Sequence, residues 1–282
     1  MNLEILSYGF IQKGLITGIA IAIICSLMGI FLVLRRYSLF GDAISHMAFG
    51  GISVGMLVGV YPLWTAFAVS VLGALGITKL RKSTKISGDA AIAVLLVSGF
   101  GIGVLLISAT DGFKVDLFSF LFGSILLISL EDTLFILGIS AGIVVTLTVL
   151  RKQLLHLTFD EEQAKVSGLN TDRLNYIFVI LASVTVIMSM RLVGVLLISA
   201  LIVLPNITSM LFGKGFKKTV ILSMSVSVFS VVSGIFASYY LDLAPSGTIV
   251  MISVAILVGA LVAKYLGIIG KSKPIEYQAA RN

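Results

Sequence analysis

The stretch Gly41-Asp42-Ala43-Ile44-Ser45-His46-Met47-Ala48-Phe49-Gly50-Gly51-Ile52-Ser53-Val54-Gly55-Met56-Leu57-Val58-Gly59-Val60 decides how this chain is read. It is about as long as an apolar helix must be to cross a bilayer, roughly 20 residues. Two ionisable residues, Asp42 and His46, interrupt it. Their spacing is about one helical turn, so both side chains project from one face. Ionisable groups at membrane depth are costly and point to function. A carboxylate and an imidazole together also suit a divalent transition metal. The same pair could instead relay protons, or form a buried hydrogen-bonded pin between helices. The other histidine, His156, falls in what reads as a charged loop.

Outward from this stretch, composition sets the class. Of 282 residues, 58% are hydrophobic and 12% charged, and the mean hydropathy is +1.13. Soluble domains carry about 25% charged residues. The chain is therefore expected to be an all-α integral membrane protein, a single transmembrane domain over residues 1–282. No polar stretch is long enough for a soluble catalytic domain. The first residues show no small-residue cleavage pattern, so the first apolar run is expected to stay in the membrane. The net charge of +7 sits in short loops, which fits the positive-inside rule and not nucleic-acid binding. The lone Cys25 excludes an internal disulfide or a Cys-x-x-Cys site.

The length rule gives about nine spans: Ile11–Leu34, Leu39–Val60, Leu63–Leu80, Asp89–Ala109, Thr133–Leu150, Leu174–Met190, Val193–Phe212, Val220–Leu241 and Gly247–Leu266. Eight to ten fit the same rule. The shorter apolar run Val115–Ser129 predicts a re-entrant or interfacial helix. Basic clusters at Arg35-Arg36, Arg81-Lys82 with Lys85, Arg151-Lys152, Lys214 with Lys217-Lys218, and Lys264 with Lys271 and Lys273 fall on one side. This happens if the N-terminus is outside and the C-terminus cytoplasmic. Counting helical rise from Arg35-Arg36 puts Asp42 ~10 Å and His46 ~16 Å inside the membrane. His46 would then lie near the middle of a ~30 Å hydrocarbon core, the depth at which transporters place substrate sites.

Other residues are weaker candidates. Pro205-Asn206 interrupts a span, where proline frees a backbone carbonyl. The resulting kink could line a cavity or serve packing alone. Ser199, Asn206, Thr208 and Met210 could help Asp42 and His46. Asp89 follows Ser87-Gly88 at a helix start, where an acid suits the helix dipole; a place near the mouth of a pathway is the other reading. The heptapeptide Gly-Val-Leu-Leu-Ile-Ser-Ala occurs at 103–109 and 194–200, at different stages of its two spans, and reads as coincidence. The polar element from Thr158 to Gly168, with Asp160, Glu161, Glu162 and Gln163, predicts a short capped helix between spans. Such a helix is either a solvated face or a dock for a cytoplasmic partner. No Gly-x-Gly-Asp protease motif or Walker A sequence occurs, and Ala244-Pro245-Ser246-Gly247 lacks the leading glycine of a rhomboid-like Gly-x-Ser-x-Gly context and sits in an outer loop, so the chain is not expected to be an enzyme or to bind ATP through a Walker A loop.

Several segments together carry a resemblance. They are Leu34–His46, Gly88-Asp89-Ala90-Ala91-Ile92, Asp116–Gly123, Phe159–Ala164, Val193–Pro205 and Ser238–Asp242 with Pro245-Ser246-Gly247. In this order they resemble the membrane-permease subunit of the manganese/zinc class of ABC importers. The resemblance implies a homodimeric pore, a separate cytoplasmic ATP-binding subunit docked on Thr158–Gly168, and an extracellular metal-binding lipoprotein that delivers the ion. It places the intramembrane metal position at Asp42 and His46, with Mn2+, or Zn2+ or iron, as transported substrate and no permanently bound cofactor. Some members use further histidines, which this chain lacks.

Overall fold

The computed structural model describes residues 8–84, 87–109, 121–124, 128–195 and 197–269. Regular structure among them is helical: α1 Gly9–Leu34, α2 Phe40–Val58, α3 Pro62–Thr84, α4 Gly88–Ser108, α5 Leu130–Phe159, α6 Glu161–Val166, α7 Thr171–Val193, α8 Ile198–Met210, α9 Phe216–Leu241 and α10 Pro245–Tyr265. The re-entrant helix expected at 115–129 lies outside the described residues, apart from 121–124 and 128–129. Lys85, Lys271 and Lys273 of the basic clusters lie outside them too.

Local chemistry sets many of the helix ends. Ser87 caps α4 by accepting from the Ala90 amide. Ser129 and Asp132 form a reciprocal capping box at the start of α5, satisfying amides that would otherwise be orphaned. Pro245 occupies the first turn of α10, where its missing N–H costs nothing. Such caps matter in a bilayer, where no water replaces a lost backbone partner.

Two helices form the protein-enclosed centre. In α1 and α7, 67% and 72% of the span is buried, against 17% in α3 and 22% in α10. The last two therefore present most of their surface outward. Helix α1 packs against α5, α7, α8 and α9, whereas α2 packs against α3, α4, α7 and α8. Buried hydroxyls stitch the centre. Ser26 Oγ donates to Ser223 Oγ at 2.8 Å, and Ser223 Oγ donates to Asn206 Oδ1 at 2.8 Å. Asn206 Nδ2 donates to the Ile202 carbonyl at 2.7 Å. Interhelical contacts of this kind contribute about 0.6 kcal/mol each in a membrane.

Seven described helices are long and apolar enough to cross a membrane. Two expected spans do not meet that standard. Helix α2 carries Asp42 and His46, which lower its hydropathy. The expected span 193–212 is instead the 13-residue helix α8. At 1.5 Å per residue it extends ~20 Å, short of a ~30 Å core. The chain breaks before it because Val193 ends α7 and Gly194 adopts φ +80°. A Cβ on Gly194 would collide with the Leu121 carbonyl and the backbone of residues 122 and 123. The break is therefore held by a backbone crossing that only glycine permits. A short helix survives here because α1, α2, α7, α9 and α10 surround it, so its ends need not reach the membrane faces.

Helix α5 corrects the reading in the other direction. Expected over Thr133–Leu150, it runs for 30 residues to Phe159. Leu154 and Leu157 are buried, so their packing carries the helix past Arg151-Lys152. His156 consequently lies in its last turn and not in a loop. Thr158 likewise belongs to α5, and the N-cap of α6 is Asp160, whose carboxylate accepts from the Gln163 amide at 2.8 Å.

Candidate metal site

The approach to α2 is a tight turn. Arg36 sits at φ +59°, and the Tyr37 amide donates back to the Leu32 carbonyl at 2.8 Å. Helix α2 begins only at Phe40. Asp42 thus lies in its first turn, where the helix dipole favours a carboxylate. The rise from the helix start is ~3 Å to Asp42 and ~9 Å to His46. A count from Arg35-Arg36 overstates both depths because residues 36–39 turn and do not climb.

Asp42 and His46 are both half-buried and, at i and i+4, share a face. Asp42 Oδ1 accepts a hydrogen bond from Ser199 Oγ in the first turn of α8. His46 Nδ1 is buried and has no hydrogen-bond partner among the described residues. The imidazole meets Phe100 of α4 edge-on, with centroids 5.4 Å apart and planes at 88°. Phe100 in turn stacks on Phe49 at 6.0 Å. Buried ring nitrogens rarely stay unpaired, so the open nitrogen suits an incoming ligand. Among the described residues, no three His, Cys, Asp or Glu side chains converge on a metal position. One chain therefore supplies a carboxylate oxygen, an imidazole and the Ser199 hydroxyl, which is less than a full shell.

Close packing fixes α4 behind the site. A Cβ on Gly99 would stand 2.5 Å from the Met47 amide nitrogen and 2.6 Å from the His46 carbonyl carbon. The absence of a side chain at 99 lets α4 press on the backbone that carries His46.

The other candidates lie elsewhere. Asp89 is exposed in the first turn of α4, ten residues or ~15 Å along the helix from Gly99. Asn206 is fully buried, seven residues or ~10 Å beyond Ser199, and both its polar side-chain atoms are engaged with Ser223 and Ile202. Thr208 Oγ1 donates to the Leu204 carbonyl at 2.8 Å, and Met210 packs at the core margin. Asn206→Ala is expected to cost about 1–3 kcal/mol by stranding buried groups, while metal uptake per folded molecule stays near wild type. Thermal unfolding of purified protein alongside cellular metal content checks both halves. Strongly reduced uptake per folded molecule would instead place Asn206 on the pathway.

A polar strut joins α6, through Asn175 of α7, to Arg35 at the C-cap of α1. Glu161 Oε1 accepts from Asn175 Nδ2 at 2.6 Å, and Asn175 Oδ1 accepts from Arg35 Nη2 at 2.6 Å. The Arg35 guanidinium lies 4.7 Å from the Phe178 ring centroid and 5.4 Å from that of Tyr37. Arg35, Asn175 and Glu161 line one recess with Gly88 and Ile92 of α4. Beyond the strut, Glu162 and Gln163 face solvent, and Phe159 and Val166 are 73% and 89% exposed. Such large exposed apolar side chains flanking a charged helix suit a partner surface. Sequence reasoning missed Asn175; its signal was a polar residue one position inside the apolar run of α7. Phe100 carried no signal, since an aromatic in an apolar span is ordinary.

Residues 7–264 match the ABC 3 transport family. The chain belongs to that family. A relative described as a probable metal transport system membrane protein, from Treponema pallidum (strain Nichols), is 34% identical over 93% of this chain and 98% of its own length. The manganese transport system membrane protein MntC of Halalkalibacterium halodurans is 30% identical over 89% of this chain and 86% of its own. A solved structure, PsaBC from Streptococcus pneumoniae in complex with Fab, superposes with a TM-score of 0.82 at 29% identity, covering 94% of this chain and 96% of that one. The chain is thus a multi-pass membrane permease of the metal-transporting ABC 3 kind. In this permease the segments that carried the resemblance lie at the α1–α2 junction, the start of α4, α6, the α7–α8 break and the α9–α10 junction, except 116–120, which lie outside the described residues.

Proposed function

We propose that this protein is the membrane half of an ATP-driven importer of divalent manganese, with zinc or iron as the competing cargo. The supporting observation is the pairing of Asp42 and His46 on one face of α2, with the imidazole Nδ1 left open. The carboxylate supplies charge and a hard oxygen. The imidazole disfavours ions that prefer oxygen alone, such as Ca2+. An incomplete shell within one chain suits release, because conduction needs a site that binds weakly enough to empty. It also suits a homodimer whose second copy brings the same pair. The whole chain, 1–282, serves as one permease unit, with the N-terminus outside and the C-terminus cytoplasmic. ATP hydrolysis belongs to a separate cytoplasmic subunit, and an extracellular lipoprotein supplies the ion.

Elemental analysis of metal-limited cells lacking the protein tests the cargo. A selective manganese deficit, restored by the wild-type gene, is the expected result; a deficit in zinc or iron alone would reassign it. The main rival is a proton-coupled carrier using the same pair. It predicts uptake that persists when the partner ATPase is inactivated.

The coupling role is assigned to α6. Glu161 faces inward to Asn175, whereas Glu162 faces solvent. Glu162→Lys is therefore expected to weaken co-purification of the ATPase severalfold with little change in permease stability. Glu161→Gln keeps an acceptor for Asn175 and is expected to retain the ATPase. Undiminished co-purification in Glu162→Lys would move the docking surface elsewhere.

A further inference from the structure

Away from α2, helices α1, α5 and α9 enclose a cleft of about 290 Å³. Its lining is sorted by chemistry along the helix axes. Arg151 and Lys217 lie at one end. Leu147 stands one turn before Arg151 on α5, and Ile221 one turn after Lys217 on the oppositely directed α9. Leu27 of α1 shares that deeper level, and Phe31, one turn nearer the charged end, meets Phe216 with ring centroids 5.8 Å apart. The apolar half of the cleft is therefore ~6 Å from the charged half.

Neither Arg151 nor Lys217 has a hydrogen-bond or ion-pair partner among the described residues. Both belong to basic clusters that mark one membrane interface in the sequence. The flanks of the cleft are strongly apolar and outward-facing: Val149 of α5 is 73% exposed, and Ile221 and Phe229 of α9 are 64% and 61% exposed. The cleft thus opens on the surface that meets acyl chains. The helices packed against α2 are α3, α4, α7 and α8, so the cleft stands apart from the Asp42–His46 face.

Two uncompensated cations above an apolar slot at headgroup level match one ligand chemistry, a phosphate joined to a hydrocarbon chain. We propose that this cleft holds one anionic phospholipid, its phosphate between Arg151 and Lys217 and an acyl chain along Leu27, Leu147 and Ile221. Zwitterionic lipids fit the slot but leave the excess positive charge unmatched. The bound lipid would brace α5 against α9, which meet through α1.

The test uses the permease co-purified with its ATPase from nanodiscs containing phosphatidylglycerol and phosphatidylcholine, with retained lipid measured by native mass spectrometry. Wild type is expected to keep about one phosphatidylglycerol per permease chain and to discriminate against phosphatidylcholine. Arg151→Ala with Lys217→Ala should lose it by on the order of 30-fold, from two contacts of about 1 kcal/mol each. The charge-preserving exchange Arg151→Lys with Lys217→Arg should retain it. Ile221→Trp, which fills the apolar end and leaves both charges, should also release the lipid, and it decides the matter if the double-alanine protein fails to fold. Equal retention of both lipids, or undiminished phosphatidylglycerol in the double-alanine and Ile221→Trp proteins, overturns the proposal. So does a double-alanine protein that keeps the lipid but loses its ATPase or its second copy, because the cleft would then be a protein interface.

Discussion

Cells whose only permease carries Asp42→Asn are expected to accumulate manganese at least about tenfold more slowly than wild type, as weakened metal sites commonly lose that much or more. The substitution keeps the side-chain volume and an oxygen that can still accept from Ser199. It removes only the charge that would offset a divalent ion at this position. Assembly should be unchanged, so the ATPase co-purifies at wild-type levels. His46→Ala should match it in uptake, because the open Nδ1 is the single imidazole donor on this face. Ser199→Ala should fall between, with an effect of about 0.5–1.5 kcal/mol, as expected for one hydroxyl donor. Whole-cell manganese by elemental analysis reads all three. Wild-type accumulation in either Asp42→Asn or His46→Ala would remove the pair from the pathway.

The second large effect is expected at Gly99. Any Cβ there stands 2.5 Å from the Met47 amide nitrogen, a distance that forces α4 and α2 apart. Gly99→Leu should destabilise the protein by about 3 kcal/mol or more, at the top of the range for overpacked interfaces. Because the contact is with the His46–Met47 backbone, residual folded protein should also show depressed uptake. Gly101, on the same helix, has nothing within 4 Å of its Cβ position, so Gly101→Leu serves as the matched control. Thermal unfolding in detergent distinguishes them. Equal unfolding temperatures for the two variants would show that the α2–α4 crossing does not depend on a bare backbone at 99.

The strut from Glu161 through Asn175 to Arg35 links these sites to the proposed partner. Arg35 packs on Tyr37, whose carbonyl accepts from the amide of Phe40 at 2.9 Å, at the first residue of α2. The contacts thus run without a gap from α6 to the turn that ends three residues before Asp42.

Much of this was legible without coordinates, because the physics involved is local. Helix propensity and hydropathy along single segments marked most helices, and the i, i+4 spacing put Asp42 and His46 on one face. The cap at Ser87 and the short helix after Asp160 follow from hydrogen bonds spanning three residues. The parts that needed tertiary structure are those where distant segments compete for the same space. Hydropathy reads 193–212 as one span, since it cannot tell an apolar residue facing lipid from one facing protein. The break at Gly194 exists because residues 121–123 cross it at backbone contact. Ser199 looked no better than Asn206 as a helper, yet folding brings Ser199 to Asp42 across 157 residues and ties Asn206 to Ser223. By itself the sequence determined that the chain is a helical membrane protein with one charged face on its second helix. Tertiary packing decided which polar groups reach that face, because in a membrane each polar side chain must find a partner within the protein, and only the assembled fold says which is nearest.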